Sequence, residues 1–218
     1  MAPLILVTGV GGPLLFMFAT LYIGRVRPNY SPMRTFISQL CLNGGACWQI
    51  ATFILSGALI AICGYLLQTQ HLDPSVPPWG WWAVLGSGLG FIGIGIHRDD
   101  PWLGYPPGKK TPQGIGLPVT AHGFAHLLIS AFTGLALAVS IASFSRQWDG
   151  IWWFGYSVGS KLAFLAFYGA ALVSGLRTDP PRPFGGRAGL FQRLSVFTAL
   201  AWIAALAGGL VLSDLQTG

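Results

Sequence analysis

Residues 119–143 read VTAHGFAHLLISAFTGLALAVSIAS. The stretch contains no Asp, Glu, Lys or Arg, and it exceeds the roughly 20 apolar residues that a helix needs to cross a bilayer. It is read as a transmembrane helix that carries two histidines at one end. Five further stretches have the same character, near 3–24, 44–67, 79–97, 151–176 and 190–213. The first is read as a span and not as a cleaved leader: no Lys or Arg precedes it, and it is longer than the apolar core of a signal peptide. Pro- and Gly-bearing connections such as HLDPSVPP and RTDPPRPFGGR separate the spans, as helix breakers should.

Composition agrees. The chain of 218 residues is 53% hydrophobic and only 8% charged, whereas soluble domains carry about a quarter charged residues. All six acids are aspartates. A surface this poor in charge belongs in lipid, which excludes a water-soluble domain. The expected fold is therefore all-α: one transmembrane domain over 1–218, a polytopic bundle of six helices, multi-pass in a bacterial inner membrane with the lipid bilayer as its first partner.

The net charge of +6 would suit a nucleic-acid partner if its bases formed a patch, but they are sorted by loop. Arg25, Arg27 and Arg34 lie in the first loop and Arg98, Lys109 and Lys110 in the third. Arg177, Arg182 and Arg187 lie in the fifth, and Arg193 is just inside the last span. Between them, the loop at 68–78 has no base and the loop at 144–150 has only Arg146. This asymmetry is the positive-inside signature. It places loops one, three and five in the cytoplasm and both termini outside, and it assigns no nucleic-acid partner. Trp79, Trp81, Trp82, Trp148, Trp152 and Trp153 all fall at the expected outer interface, where indoles form a belt; lining a cavity is the other use for them.

Two features of the spans speak of packing. Gly86 and Gly90 form a G-x-x-x-G in a glycine-rich third span, which lets a neighbouring helix come close. Cys41, Cys47 and Cys63 lack C-x-x-C spacing and are read as small apolar fillers.

Polar and ionisable groups at membrane depth are expensive, so they mark candidate function. They gather on one side. The third span ends in His97-Arg98-Asp99-Asp100, and the fourth begins with Thr120, His122 and His126, the two histidines four apart on one helical face. The first loop brings Asn29, Tyr30, Ser31, Arg34, Ser38, Gln39 and Asn43 to the same end. This set admits three arrangements: an Asp and a His as acid and base, a metal held by His122, His126 and either His97 or Asp100, or hydrogen bonds between helices with ion pairs to Arg98, Lys109 or Arg34. H-x-x-x-H without the glutamate of H-E-x-x-H is a weak zinc pattern, so no metal ligand is assigned and the sequence names no cofactor. Lys161 stands apart, roughly 15 Å into the fifth span at 1.5 Å per residue, with Ser157 and Ser160 as neighbours.

Several of these residues fall in recognisable runs. Tyr30-Ser31-Pro32-Met33-Arg34-Thr35-Phe36-Ile37-Ser38-Gln39-Leu40 resembles the opening motif of a bacterial membrane family catalogued as domain of unknown function 998. So do Asp100-Pro101-Trp102-Leu103-Gly104-Tyr105-Pro106-Pro107-Gly108, His122-Gly123-Phe124-Ala125-His126, and Gln192-Arg193-Leu194 with Trp202. The resemblance runs from about 28 to 205. It implies a bundle of six or so spans, and its polar motif positions match Ser38, Asp100, His122, His126 and Arg193. It brings no reaction with it. Where relatives usually read Phe-Pro-x before the aspartate, this chain has His97-Arg98-Asp99, adding titratable groups to that corner.

The expectation drawn from residues and resemblance together is an integral-membrane enzyme with a cytoplasmic-side Asp/His site. Its substrate is lipid-soluble, an isoprenoid or acyl lipid, and its chemistry acid–base, as a cyclase or a metal-assisted hydrolase. Asp100, His122, His126 and Ser38 are the catalytic candidates; Arg34 and Arg193 are the cations for an anionic head group, and Lys161 is a further substrate-binding candidate, either held by hydrogen bonds or paired with an aspartate in a site. The alternative is a non-catalytic subunit or assembly factor of a larger membrane complex, with other membrane-protein subunits as partners. A transporter is a third class, without the paired broken helices that would mark one.

Overall fold

Pro13 decides how the first span is built. Its ring nitrogen has no hydrogen, so the bond back to the Gly9 carbonyl is missing and the helix breaks one turn upstream. In the computed structural model the span falls into α1 (Ala2–Gly9) and α2 (Gly11–Val26), joined across Val10 by its N–H to Leu6 O (3.0 Å) and by Leu14 N–H to Val10 O (3.1 Å). The other spans are α3 (Ala46–Leu67), α4 (Trp79–Ile96), α5 (Ala121–Ser143), α6 (Ile151–Leu176) and α7 (Ala188–Thr217). The structure describes residues 2–70, 72, 74–109, 120–176 and 186–217; Lys110, Arg177 and Arg182 of the basic loops lie outside the described residues. Six segments are long and apolar enough to cross a membrane, beginning with Pro3–Val26, within a few residues of the boundaries read from hydropathy. Among the described residues the regular structure is helical, with no strand. The protein is a multi-pass helical bundle suited to a lipid bilayer.

The spans form a ring in chain order. Each packs on the next, and α7 closes the ring against α1 and α2. Trp202, Phe16, Phe144 and Phe164 are buried inside it. The tightest seam is α3 on α4, where the backbones touch: a Cβ on Gly64 would overlap the backbone of Leu85, and one on Gly88 the backbone of Ala61. The expected G-x-x-x-G pair does pack, but against α5, with Gly86 under Phe132 and Gly90 under Thr133. A glycine-rich α4 thus serves two neighbours with two sets of glycines. Gly88→Leu is expected to cost about 1–3 kcal/mol or more, because backbone cannot move aside as a side chain can. Thermal unfolding in detergent measures this. Gly159→Ala, where an added Cβ meets nothing, should not lower the transition and should raise it slightly, since alanine is favoured over glycine in a helix interior by about 0.5–1 kcal/mol.

At the end where α4 and α6 begin, Trp79, Trp82 and Trp152 are exposed, as a belt requires. Trp148 and Trp153 instead fold into the bundle, edge to face at 4.6 Å, and Trp153 Nε1–H donates to Phe144 O (2.7 Å). All three cysteines are free; Cys41 and Cys63 are buried as fillers, but Cys47 is exposed.

Candidate functional site

At the opposite end, the first loop does not simply cross between helices. A 3-10 turn, Ile37–Cys41, is buried along its whole length, and Ile37 N–H donates to Gln192 Oε1 of α7 (2.6 Å). This turn carries Ser38 and Gln39 into the mouth of the ring.

The carboxylates come from the far side. The chain leaves α4 extended at His97 (φ −94°, ψ 99°), and in extended backbone successive side chains point to opposite sides. Asp99 and Asp100 accordingly part company. Asp99 Oδ2 accepts from Ser38 Oγ (2.9 Å) and Gln39 Nε2 (2.7 Å) and lies 4.0 Å from His126 Nε2. Gln39, fully buried, also donates to Asp100 O (2.9 Å) and accepts from Trp102 N–H (3.0 Å). Its amide therefore fixes the backbone that follows the carboxylate it holds, on either side of Pro101.

Asp100 turns toward the start of α5. Its Oδ1 accepts from Thr120 Oγ1 (2.7 Å) and its Oδ2 from Thr120 N–H (3.0 Å), while Thr120 Oγ1 caps the helix by accepting from Gly123 N–H (3.0 Å). A buried carboxylate at a helix N-terminus is stabilised by the unpaired N–H groups and the helix dipole. It fits only because residue 123 is glycine: a Cβ there would overlap the Asp100 carboxylate.

His126 is buried, one turn further into α5. Its Nδ1 lies 2.7 Å from His97 O. A carbonyl only accepts, so Nδ1 carries the hydrogen and Nε2 of the neutral ring is left as a proton acceptor. Nε2 is the nitrogen that faces Asp99.

Behind this corner, on the axis of the ring, lies a cavity of about 70 Å³. Phe16, Phe53, Phe91 and Phe164, one from each of α2, α3, α4 and α6, form its apolar wall. Ser38, His126, Ser130, Thr133, Tyr168 and Gln192 form its polar wall.

A family model described as "Protein of unknown function (DUF998)" matches residues 10–209. The chain belongs to that family. No curated protein and no solved structure matches it. The DUF998 span holds every residue of the cluster just described.

Within this DUF998 chain, two of the seven residues singled out from sequence, Ser38 and His126, meet at the cavity. Asp100 sits behind them as a cap for α5. His122 is exposed, its ring 5.4 Å from that of His97, and among the described residues no three His, Cys, Asp or Glu side chains gather as a metal site. Arg193 is buried. Its Nη1 donates to Pro32 O (2.6 Å), Thr35 O (3.1 Å) and Gly189 O (3.0 Å), and its Nη2 to the Tyr30 hydroxyl. It is a clamp that ties the first loop to α7, not a cation open to a ligand. Tyr30 in turn donates toward Thr35 O and Phe36 O (both 3.0 Å), and burial pushes its phenol up to about 12. Arg34 is exposed beside Gly186. Lys161 is half-buried on α6, away from the cavity wall, and among the described residues it has no hydrogen-bond or ion-pair partner; Ser157 is occupied by Trp202 Nε1–H (3.0 Å).

Two parts of the DUF998 site were not singled out from sequence. Asp99 was noted, but the catalytic role was given to its neighbour. The polar wall on α5 was overlooked, although His126, Ser130, Thr133 and Leu137 are spaced 4, 3 and 4 apart, the spacing of a single helical face.

Proposed function

We propose that this protein is an integral-membrane enzyme that performs acid–base chemistry on a lipid-soluble substrate. The observation that carries the reading is Asp99 Oδ2, which accepts from Ser38 Oγ at 2.9 Å and faces His126 Nε2 at 4.0 Å, with Ser38 and His126 both opening on an aromatic-walled cavity. His126 Nε2 accepts a proton from the substrate, and the imidazolium that forms faces the Asp99 carboxylate, which offsets its charge. Ser38 holds the carboxylate on that side and offers its own hydroxyl to the substrate. Gln39, Asp100 and Arg193 act as positioning residues: they fix the loop, the chain after α4 and the start of α5 around the two reacting groups. The ten-to-one bias of bases between alternate loops supports a cytoplasmic position for this end of the bundle, both termini outside, and residence in a bacterial inner membrane.

The test is a comparison of lipid extracts from host membranes carrying the wild-type chain, the His126→Gln variant or no chain. The wild type is expected to create or consume a lipophilic species, and His126→Gln to abolish the change at equal protein level. A variant that makes the full change sinks the reading.

A second reading, a non-catalytic subunit of a larger membrane complex, draws on α6. It is the least covered span, among the described residues its Lys161 has no hydrogen-bond or ion-pair partner, and added Cβ atoms at Gly155, Gly159 and Gly169 would meet nothing. Under this reading mild detergent brings out a particle larger than the chain, and a lone monomer counts against it.

A further inference from the structure

Every polar group on the cavity wall is an uncharged hydrogen-bonding group or an imidazole: the hydroxyls of Ser38, Ser130, Thr133 and Tyr168, the amide of Gln192 and the ring of His126. Among the described residues no Arg or Lys lines it. A negative charge stands just behind the wall, since Asp99 accepts a hydrogen bond from Ser38. Arg34 is exposed outside it, and the guanidinium of Arg193 is taken up by three carbonyls and Tyr30. A phosphate or carboxylate entering this space would lose its hydration, gain no cation and meet a like charge, which costs far more than hydrogen bonds return.

The shape of the space adds a second constraint. A volume of about 70 Å³ is roughly half the ~150 Å³ that holds a benzene ring, so it admits the polar end of a ligand and not its apolar body. The body needs a way out, and one wall is thin. The helices α5 and α6 pack on each other far less than α6 packs on α7 or α4 on α5. Between them the wall is made by Ser130, Gly134 and Tyr168, all only half-buried. Gly134 has no side chain to close the seam, and Tyr168 lies across it, its ring 3.3 Å from where a Cβ on Gly134 would stand.

We infer that the cavity binds the hydroxyl or carbonyl end of an uncharged lipophile, which reaches it sideways from the bilayer between α5 and α6, past Gly134 and Tyr168. This rests on the enzymatic reading and narrows it: the substrate is a neutral lipid alcohol or carbonyl compound, and phosphorylated lipids are excluded.

The purified full-length chain in detergent tests this with two probes that share one apolar body, farnesol and farnesyl phosphate. Farnesol is expected to raise the unfolding temperature in a saturable manner, and farnesyl phosphate at the same concentration to leave it unchanged. Ser130→Ala should weaken farnesol about tenfold, the loss of one hydrogen bond. Gly134→Val, which closes the seam, should weaken it further. The proposal is overturned if farnesyl phosphate stabilises as well as farnesol, if farnesol does not stabilise at all, or if both variants bind farnesol as the wild type does. Because the readout is binding and not turnover, its failure is separable from that of the acid–base reading: farnesol that stabilises a wild-type chain without effect on host lipids sinks the acid–base reading alone, and a chain that transforms host lipids yet gains nothing from farnesol sinks the present inference alone.

Discussion

Under the proposed acid–base reading, a chain carrying His126→Gln is expected to keep its fold and to lose about 10²–10⁴-fold of the proposed activity on lipids, the range that a positioned general base supplies. Glutamine can still donate an N–H to His97 O, the bond His126 makes at 2.7 Å, so the end of α4 stays tied to α5. What it lacks is a nitrogen that accepts a proton. Asp99→Asn is expected to act in the same direction, because the amide can still accept from Ser38 and Gln39 but no longer offsets the charge of a protonated ring. Asp100→Asn should behave differently. Its carboxylate accepts twice from Thr120 at the start of α5, so the loss falls on stability, by about 1–2 kcal/mol for a weakened helix start, with the rate of the remaining folded protein preserved. Lipid extracts and thermal unfolding, measured on the same preparations, separate the two aspartates. If Asp100→Asn removes activity at full stability while Asp99→Asn does not, the assignment of roles is reversed.

Arg193→Met is the most damaging change to the fold. Three backbone carbonyls and the Tyr30 hydroxyl converge on one guanidinium, and all would lose their charged donor, with Thr35 O left to the Tyr30 hydroxyl. Hydrogen bonds to charged groups are worth about 1.5–3 kcal/mol each and are not additive, so a loss of about 3 kcal/mol or more is expected, seen as a collapse of the monodisperse detergent peak. Arg193→Lys recovers only part of it, since an ammonium has no planar fork to serve carbonyls on several sides. Tyr30→Phe is the milder companion and brings a pH signature. Burial raises the Tyr30 phenol from 10.0 to about 12. A group whose folded value is raised contributes stability that is whole below pH 10 and is lost as pH climbs from 10 through 12. Tyr30→Phe should flatten that alkaline limb of the unfolding temperature; an unchanged limb would show that the phenol does not govern it.

Much of this was legible beforehand, and unevenly. Span positions depend on local hydropathy over some twenty residues, and nothing distant alters that sum, so all six fell within a few residues of where they were read. Ser38 and His126 were singled out on different grounds: His126 because a polar residue at membrane depth is conspicuous wherever its partners come from, and Ser38 because the first loop carries it in a run that resembles the family's motif. The break at Val10 was readable in principle, because Pro13 lacks its N–H whatever surrounds it.

The roles of charged residues are another matter. Asp99 and Asp100 are the same side chain one residue apart, and only the extended backbone after Ile96 sends the first to Ser38, Gln39 and His126 and the second to the cap of α5. Arg193 has the same composition signal whether it faces a phosphate or three carbonyls. Which it does depends on the first loop folding back over α7, a contact between residues more than 150 positions apart. The sequence by itself thus determined that the chain spans a membrane six times and where its polar end lies, because those follow from local solvation. Only the tertiary structure decided which carboxylate meets Ser38 and His126 and which cations are already spent, because a charge is defined by the partners that distant segments bring to it.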